Sequence, residues 1–496
     1  MTEAVSIRGQ TFVLSPDAMG AVDRATISSG CDGYSLMSRA AQEVVRLVCR
    51  LFPPCRVLVI CGPGNNGGDG YLIARRLVDI GWSVDVTALY PQRKLVGDAA
   101  TAKGYWKREV LDAHDINWGH PDLIIDAIFG TGFSKELEGD VAQIFANINA
   151  AGASVVAVDV PSGVDGMTGE VRGSAVSADH TVTFCCAKPG LLMLPGSEHA
   201  GRVHVVDIGI KPQFIEQFDQ GMRINCPALW RSKLRLREPR HNKYDFGHVL
   251  LKSGSALSTG AVRLAATSAL KAGAGLVSIA CRKEEGLVCA SQLTEVMTKH
   301  VESVRDFRSL LEDKRFNAVV LGPALGVGPE TREIVASALV FGRSMVLDAD
   351  ALTSFTDNPN ELFEKTHNGV VLTPHAGEFA RIFNTDTDGD RLLMVRNAAK
   401  RSHCVVVLKG ADTIVAAPDG RIAFSPAGSP QLATAGTGDV LAGAIGGLAA
   451  QGLDAFDAAC AGTWLHAKAS MMLADPFIAG DLIDLLPKIR SELLLA

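Results

Sequence analysis

The chain lacks a Cys-x-x-Cys pair, an apolar run long enough to cross a bilayer, and an excess of basic charge. Its eleven cysteines show no framework spacing, which fits reduced thiols in a cytosolic protein and excludes a disulfide scaffold. Adjacent Cys185 and Cys186 read as small core residues of a strand. The longest apolar stretch, Val440–Ala450, is too short to span a membrane, and Met1–Gln10 has no apolar signal core. Lysine and arginine total 48 against 54 acidic residues, a formal net charge of −6. That balance removes any electrostatic case for nucleic acid. The one basic stretch, Arg231–Lys243, reads as a solvated linker. No G-x-x-x-x-G-K-[ST] run occurs, so a Walker-type nucleotide site is excluded. These absences predict a soluble cytoplasmic protein with small-molecule partners, no nucleic acid and no membrane.

What is present is alternation. The 496 residues are 47% hydrophobic and 21% charged, too long for one core and too apolar for disorder. Two helices, Ser15–Ala25 and Ser35–Leu51, precede a β-branched run at Arg56–Cys61, a glycine loop, and a helix over Tyr71–Ile80. Strands follow at Val84–Ala88, Leu123–Asp126, Val155–Asp159 and Thr181–Phe184. A connector from Lys211 to Arg240 carries Pro212, Pro227 and Pro239, placing a boundary near residue 225 and domains at 1–224 and 225–496. Beyond it, strands are expected at His248–Lys252, Leu276–Ala280, Ala318–Leu321, Met345–Asp348, Val370–Thr373 and Val405–Lys409. Late helices are expected near Asp439–Ala450 and Ala455–Leu473. Strand–helix alternation implies parallel sheets covered on both faces. The fold class is α/β, as two α/β/α sandwiches. Fifty glycines cluster at Gly62–Gly70 and Gly436–Gly447, a pattern of backbone approaching a ligand.

Gly62, Gly64 and Gly67 satisfy G-x-G-x-x-G between a strand and a helix, and Asp85 lies roughly where a ribose-binding acid is expected. Alone, this supports a dinucleotide-binding dehydrogenase or, more plainly, a tight turn without ligand. Asn65, Asn66 and Asp69 argue against the dehydrogenase, because they crowd a loop that phosphate binding would leave small and neutral. Asp126 and Asp159 each close an apolar strand and precede Phe129-Gly130-Thr131-Gly132 and Pro161-Ser162-Gly163. A strand-end Asp is often only a turn residue. In a parallel sheet, however, these ends face one crevice.

Gly64–Gly70, Asp126–Gly132 and Val158–Gly163 together resemble the NAD(P)HX epimerase family, which interconverts the two epimers of hydrated NADH or NADPH. The resemblance implies a Rossmann-like domain in which Asn65, Asn66, Gly67, Gly68 and Asp69, with Gly130, Thr131, Gly132, Phe133, Ser134, Lys135 and Glu136, contact the hydrated cofactor. It implies potassium on Asn66, Asp126 and Ser162, and substrate contact and acid/base work for Asp159. For Lys135 a surface lysine is the plainer reading. Leu36–Ala41 resembles the family's N-terminal helix, with Ala41 where glycine is usual.

In the second domain Gly436-Thr437-Gly438-Asp439 opens a helix, so its amides can cradle a phosphate in flight while Asp439 takes a hydroxyl proton. An N-capping Asp after a glycine turn is the bland alternative. Lys409-Gly410-Ala411-Asp412-Thr413 follows a strand and could hold a nucleotide. His375 and Glu378 lie one helical turn apart at another strand end, where Glu378 could serve a phosphate-bound magnesium through water. With His241–His248, Ala272–Val277, Gly322–Gly326 and Leu347–Leu352, these motifs resemble the ribokinase-like superfamily, and within it the ADP-dependent NAD(P)HX dehydratases. The resemblance implies that Ala261, Gly326, His375 and Asp439 contact the hydrated cofactor, and that Lys409–Thr413 and Gly438 hold the adenine nucleotide. ADP would be the co-substrate and Mg²⁺ the bridging ion. Ala324 and Ser253-Gly254-Ser255 depart from the usual glycines. The implied function is repair: R- and S-NAD(P)HX are epimerised, and the S form is dehydrated to NAD(P)H, AMP and phosphate. Substrates would be NADHX, NADPHX and ADP. Glycine-rich apolar helices suggest a homo-oligomer. A small-molecule kinase sharing the G-T-G-D turn, and a non-catalytic nucleotide-binding module, are the rival readings.

Overall fold

The computed structural model describes residues 11–132, 139–385, 389–425 and 428–495. Contacts divide the chain into two compact units, Met1–Met222 and Arg223–Ala496.

The first unit is built on a six-stranded sheet of β1 (Arg56–Cys61), β2 (Ser83–Ala88), β3 (Leu123–Ala127), β4 (Ser154–Val158), β5 (His180–Phe184) and β6 (Arg202–Val206), ordered β2-β1-β3-β4-β5-β6. Every pairing is parallel. The interior strands are buried along nearly their whole length, as β-branched runs covered on both faces must be. The order reverses between β1 and β3, so the loops after Cys61 and Ala127 open a crevice there.

The helix Pro16–Ser28 starts where Ser15 accepts a hydrogen bond from the Ala18 amide with proline at the first turn, and Asp32 caps the helix Gly33–Leu51. One boundary differs from the sequence expectation. The helix expected over Tyr71–Ile80 spans Asn65–Asp79, so only Gly62–Gly64 form the turn. The later glycines are packing residues. A β-carbon on Gly67 would collide with the Gly62 carbonyl, and one on Gly70 would press Ala127 and Cys61. Close approach of helix to strand, rather than of backbone to phosphate, explains most of this cluster.

The second unit holds a ten-stranded sheet. Its members are β7 (Met222–Ile224), β8 (His248–Lys252), β9 (Leu276–Cys281), β10 (Met297–His300), β11 (Ala318–Leu321), β12 (Ser344–Leu347), β13 (Val370–Leu372), β14 (Val405–Leu408), β15 (Ile414–Ala416) and β16 (Ile422–Phe424). The order is β10-β9-β8-β11-β12-β13-β14-β15-β16-β7, parallel as far as β14 and antiparallel from β14 to β16. The helices Thr259–Lys271 and Thr437–Ala450 pack backbone to backbone. β-Carbons on Gly443 and Gly447 would strike Ala265 and Ala269, and the Ser268 hydroxyl donates to the Val440 carbonyl at 2.6 Å. The glycines at 443–447 are therefore core residues and not a ligand cradle. This helix is buried inside its own unit, so its apolar composition is no argument for subunit packing. Among the described residues no helix is long and apolar enough to cross a membrane.

Candidate active sites

The first unit contains a cavity of about 760 Å³ at the β1/β3 switch point. Its lining includes Asn65, Asn66 and Asp69, the Gly130–Gly132 turn, Asp159 and Lys188. Asp159 follows β4 in a left-handed conformation, φ +70°, and the Val160 amide donates to the Val158 carbonyl across it at 2.9 Å. That three-residue turn is strained for a non-glycine residue. Cys185 repeats the arrangement after β5, with φ +65° and the Cys186 amide donating to Phe184 at 2.7 Å. The two turns set Asp159 and Lys188 face to face. Lys188 Nζ donates to Asp159 Oδ1 at 2.7 Å, to Thr183 Oγ1 at 2.8 Å and to the Phe184 carbonyl at 3.3 Å. The Thr131 amide donates to Asp159 Oδ2 at 3.2 Å.

Burial pushes the Asp159 carboxyl up, but the Lys188 charge and hydrogen bond, with the Thr131 bonds, hold it below the ordinary carboxylate range. Its neighbours go the other way. Burial, then repulsion from Asp159 and Asp23, raises Asp69 well above that range, and Asp69 Oδ1 is buried without a partner among the described residues. Asp23 is pushed to about 6 by burial, with Lys188 opposing and Asp159 reinforcing. Three carboxyl groups thus share one buried ammonium, an arrangement that sets their protonation states apart.

Asp126 lies beneath the cavity, fully buried, and is pushed up to about 6 by burial against its hydrogen bonds. Ser162 donates to it through Oγ at 2.6 Å and through its amide at 2.8 Å, and the Ile128 amide does so at 3.2 Å. Asn66 is buried on the cavity side, near Asp159: a β-carbon on Gly130 would lie 3.0 Å from Asp159 Oδ2 and 3.5 Å from Asn66 Cγ. The Asn66 Nδ2 atom has no hydrogen-bond partner among the described residues. The set offers one desolvated carboxylate, one hydroxyl and one amide. That oxygen-rich, singly charged chemistry fits a monovalent cation better than a divalent one.

Of the residues expected here, the structure gathers Asn65, Asn66, Asp69, Gly130, Thr131, Gly132 and Asp159 around this cavity, with Asp126 and Ser162 paired outside its lining. Gly67 and Gly68 stand apart: they do not line it, and Gly68 packs against Ala99 and Met37. Asp85 is exposed on the edge strand β2 and plays no part. Phe133, Ser134, Lys135 and Glu136 lie outside the described residues. Lys188 and Asp23 were missed. A lone lysine before Pro-Gly and an acid on an amphipathic helix carry no local signal.

In the second unit the chemistry collects at the carboxyl ends of β12, β13 and β14. Gly436 caps the helix Thr437–Ala450 in a left-handed conformation, and Asp439 stands in that helix's first turn. Burial and the Asp348 charge push Asp439 up to about 6, with Lys409 opposing. Lys409 Nζ donates to Asp348 Oδ1 at 2.8 Å, and both side chains are largely buried. Burial works against the Lys409 ammonium, yet Asp348, Glu378 and Asp439 hold its pKa above the ordinary value. A β-carbon on Gly438 would lie 3.5 Å from Lys409 Nζ, so the lysine sits against the open turn of the helix.

His375 caps the helix Ala376–Phe383: its Nδ1 accepts from the Gly377 amide at 3.0 Å, while Glu378 Oε2 accepts from the His375 amide at 2.9 Å. One oxygen of Glu378 is thus engaged in a capping box, and the other, Oε1, lies 3.6 Å from His375 Nε2. The Lys409–Thr413 turn is pinned by Thr413 Oγ1 donating to the Gly410 carbonyl at 2.7 Å and by the Arg391–Asp412 pair at 3.0 Å. Gly326 donates to Asp350 at 2.8 Å, and Asp350 in turn reaches Asp439 electrostatically. Ala261 lies in the first turn of Thr259–Lys271, the helix whose Leu264 abuts Gly436. Ala324 has φ +48°, which explains why glycine is the usual residue at this turn. Asp348, quoted only within a motif, emerges as the partner of Lys409, and the strand-end rule that flagged Asp126 would have found it.

Comparison with known proteins identifies relatives of both units. A family model described as NAD(P)H-hydrate dehydratase matches residues 249–491, and one described as YjeF-related protein N-terminus matches residues 33–190. The bifunctional NAD(P)H-hydrate repair enzyme of Moorella thermoacetica is 37% identical over 515 residues, covering 97% of each chain. Its counterpart in Escherichia coli is 35% identical over 471 residues, covering 92% of this chain and 89% of that one. A ribokinase-like superfamily protein of known structure from Enterococcus faecalis aligns with a TM-score of 0.50 at 22% identity, covering 56% of this chain and 98% of that one, a likeness of fold.

Proposed function

The chain belongs to the family of bifunctional NAD(P)H-hydrate repair enzymes, and we propose that each of its units performs one of two consecutive reactions. The first unit forms the epimerase, interconverting R- and S-NAD(P)HX. The second unit forms the dehydratase, converting S-NAD(P)HX and ADP to NAD(P)H, AMP and phosphate. The observation that carries the reading is Asp439, a carboxylate at the amide end of a helix and beside the Lys409–Asp348 pair.

That geometry suits phosphoryl transfer followed by elimination. The ring hydroxyl of the hydrate meets Asp439, which is ionised above about pH 6 and takes its proton. The amides of Gly438 and its neighbours face the transferring phosphoryl group, and Lys409 balances the charge that develops on it. The ring nitrogen then expels phosphate, and the resulting iminium loses a proton from the adjacent ring carbon to solvent, so that the ring double bond returns. Ala261, Gly326 and His375 would contact the cofactor, and Lys409, Gly410, Ala411, Asp412 and Thr413 the nucleotide. Among the described residues no cluster of three or more His, Cys, Asp or Glu is placed to hold a metal. Mg²⁺ takes few protein ligands and keeps its waters; it would be held by the nucleotide phosphates, with Glu378 as the nearby carboxylate, and would supply charge neutralisation.

In the first unit Asp159, held ionised by Lys188, is the base acting at the carbon that bears the hydroxyl. Asn65, Asn66, Asp69 and the Gly130–Gly132 turn contact the hydrate, and Asn66, Asp126 and Ser162 hold potassium, whose charge would offset the buried Asp126 carboxylate. The cysteines are free, in keeping with a cytoplasmic enzyme. The kinase alternative is separated by its products. With S-NADHX and ADP, phosphorus NMR should show AMP and inorganic phosphate rising together with NADH. A persistent phosphorylated organic product would overturn the dehydratase reading.

A further inference from the structure

The epimerase cavity contains a carboxyl group to which no step above gives a task. Asp23, on the helix Pro16–Ser28, lines the same cavity as Asp159 and Lys188, although it is far from every glycine motif in sequence. No hydrogen bond to its side chain is found among the described residues, so its proton is not committed to the protein. The charged and titratable groups that reach it are Lys188 and Asp159, Arg24 on its own helix, Asp69 on the helix Asn65–Asp79, and the neutral Cys185 thiol after β5.

Inverting the carbon that carries both hydroxyl and ring nitrogen needs bond breaking on one face and bond making on the other. One carboxylate, fixed in its ionised form by a lysine, can serve only one face. Resting on the epimerase reading, we propose that Asp23 is the second proton-transfer residue, working across the ring from Asp159. In the forward direction Asp23 gives its proton to the departing hydroxyl. The C–O bond breaks as the nitrogen lone pair moves in, and one water leaves. A second water adds to the opposite face of the resulting iminium carbon, its electron pair forming the new C–O bond, and its proton passes to Asp159. Water lost equals water gained, no electrons are exchanged, and the enzyme ends with Asp23 ionised and Asp159 protonated. That is the form competent for the opposite epimer. Burial suits Asp23 to the role, since it keeps the group close to half protonated near pH 6.

The test uses the full chain with pure R-NADHX and no nucleotide, in water enriched in ¹⁸O, with the epimers separated chromatographically and their masses read. The expected result is one solvent oxygen gained per inversion, and a rate that falls as pH rises through about 6. Asp23→Asn should lower the inversion rate by about 100-fold or more, leave KM within about threefold, and leave ADP-dependent consumption of S-NADHX unchanged. Inversion that retains the original oxygen points to ring opening and overturns the proposal, as does an Asp23→Asn rate within about threefold of wild type. If that variant loses the melting transition of the first unit, Asp23→Glu decides. A displaced pH–rate limb with partial activity supports the role, and a superimposable profile overturns it. A wild-type chain that never inverts the R epimer removes the epimerase reading itself, which is a different result from a wild type that inverts and a variant that does so equally well.

Discussion

Replacing Lys188 with methionine probes whether the epimerase cavity is organised by a single buried ion pair. The Lys188 side chain is 2% exposed and that of Asp159 16%, so methionine fills similar space and leaves a carboxylate with no cation beside it. Removing one partner of such a pair costs about 3–5 kcal/mol. For a unit of this size each kcal/mol lowers the melting temperature by roughly 2–4 °C, so the first unit should lose about 6–20 °C. The pH dependence carries a sign. In the wild type the depressed pKa of Asp159 contributes stability above its unfolded value, near 3.9, and that contribution is lost as pH falls through the folded value. In the variant, burial is opposed only by the remaining hydrogen bonds, such as that from the Thr131 amide, and the folded pKa rises. The penalty is then full at pH 8 and shrinks as pH falls toward the unfolded value. Calorimetry of the full chain at pH 8 and pH 5, following the transition that ADP does not shift, measures this directly. A deficit below about 1 kcal/mol, or one equal at both pH values, would refute the assignment of Lys188 as the charge partner of Asp159.

Asp439→Asn should abolish dehydration while ADP binding, measured by calorimetric titration, stays within about threefold; near-normal turnover would remove the base assignment. For the wild-type dehydratase, kcat should rise as pH increases through about 6, following ionisation of Asp439. Potassium, scanned against sodium and a choline control, should raise the melting temperature of the first unit, and Asp126→Asn should abolish the shift; an equal shift in that variant argues against the site. Gly443→Ala should destabilise the second unit by about 1–3 kcal/mol, because the added methyl meets the Ala265 carbonyl with no room to yield.

The parts of the fold legible in the sequence were those with a simple burial pattern. β1, β8 and β11 lie where the β-branched runs placed them, since strands covered on both faces must be continuously apolar. β10 is mostly exposed, and β15 and β16 are three residues each, so neither periodicity nor length marked them. The start of the helix at Asn65 was hidden because glycine, a poor helix former, is tolerated there by tight packing onto β1 and β3. At the sites, Asp126, Asp159 and Asp439 were visible because a polar residue ending an apolar strand or opening a glycine turn breaks a pattern. Lys188 and Asp23 break none. Their role arises only when a strained turn and a neighbouring helix bring them into one cavity with Asp159.

The central claim, that one chain epimerises a damaged cofactor and then dehydrates it, is tested most directly by absorbance at 340 nm on pure R-NADHX with ADP and Mg²⁺. Wild type should return all of it as NADH, while Asp159→Asn should leave the R epimer unused yet consume added S-NADHX normally. An Asp159→Asn chain that recovers the R epimer as fast as wild type, above the spontaneous rate, would contradict the account.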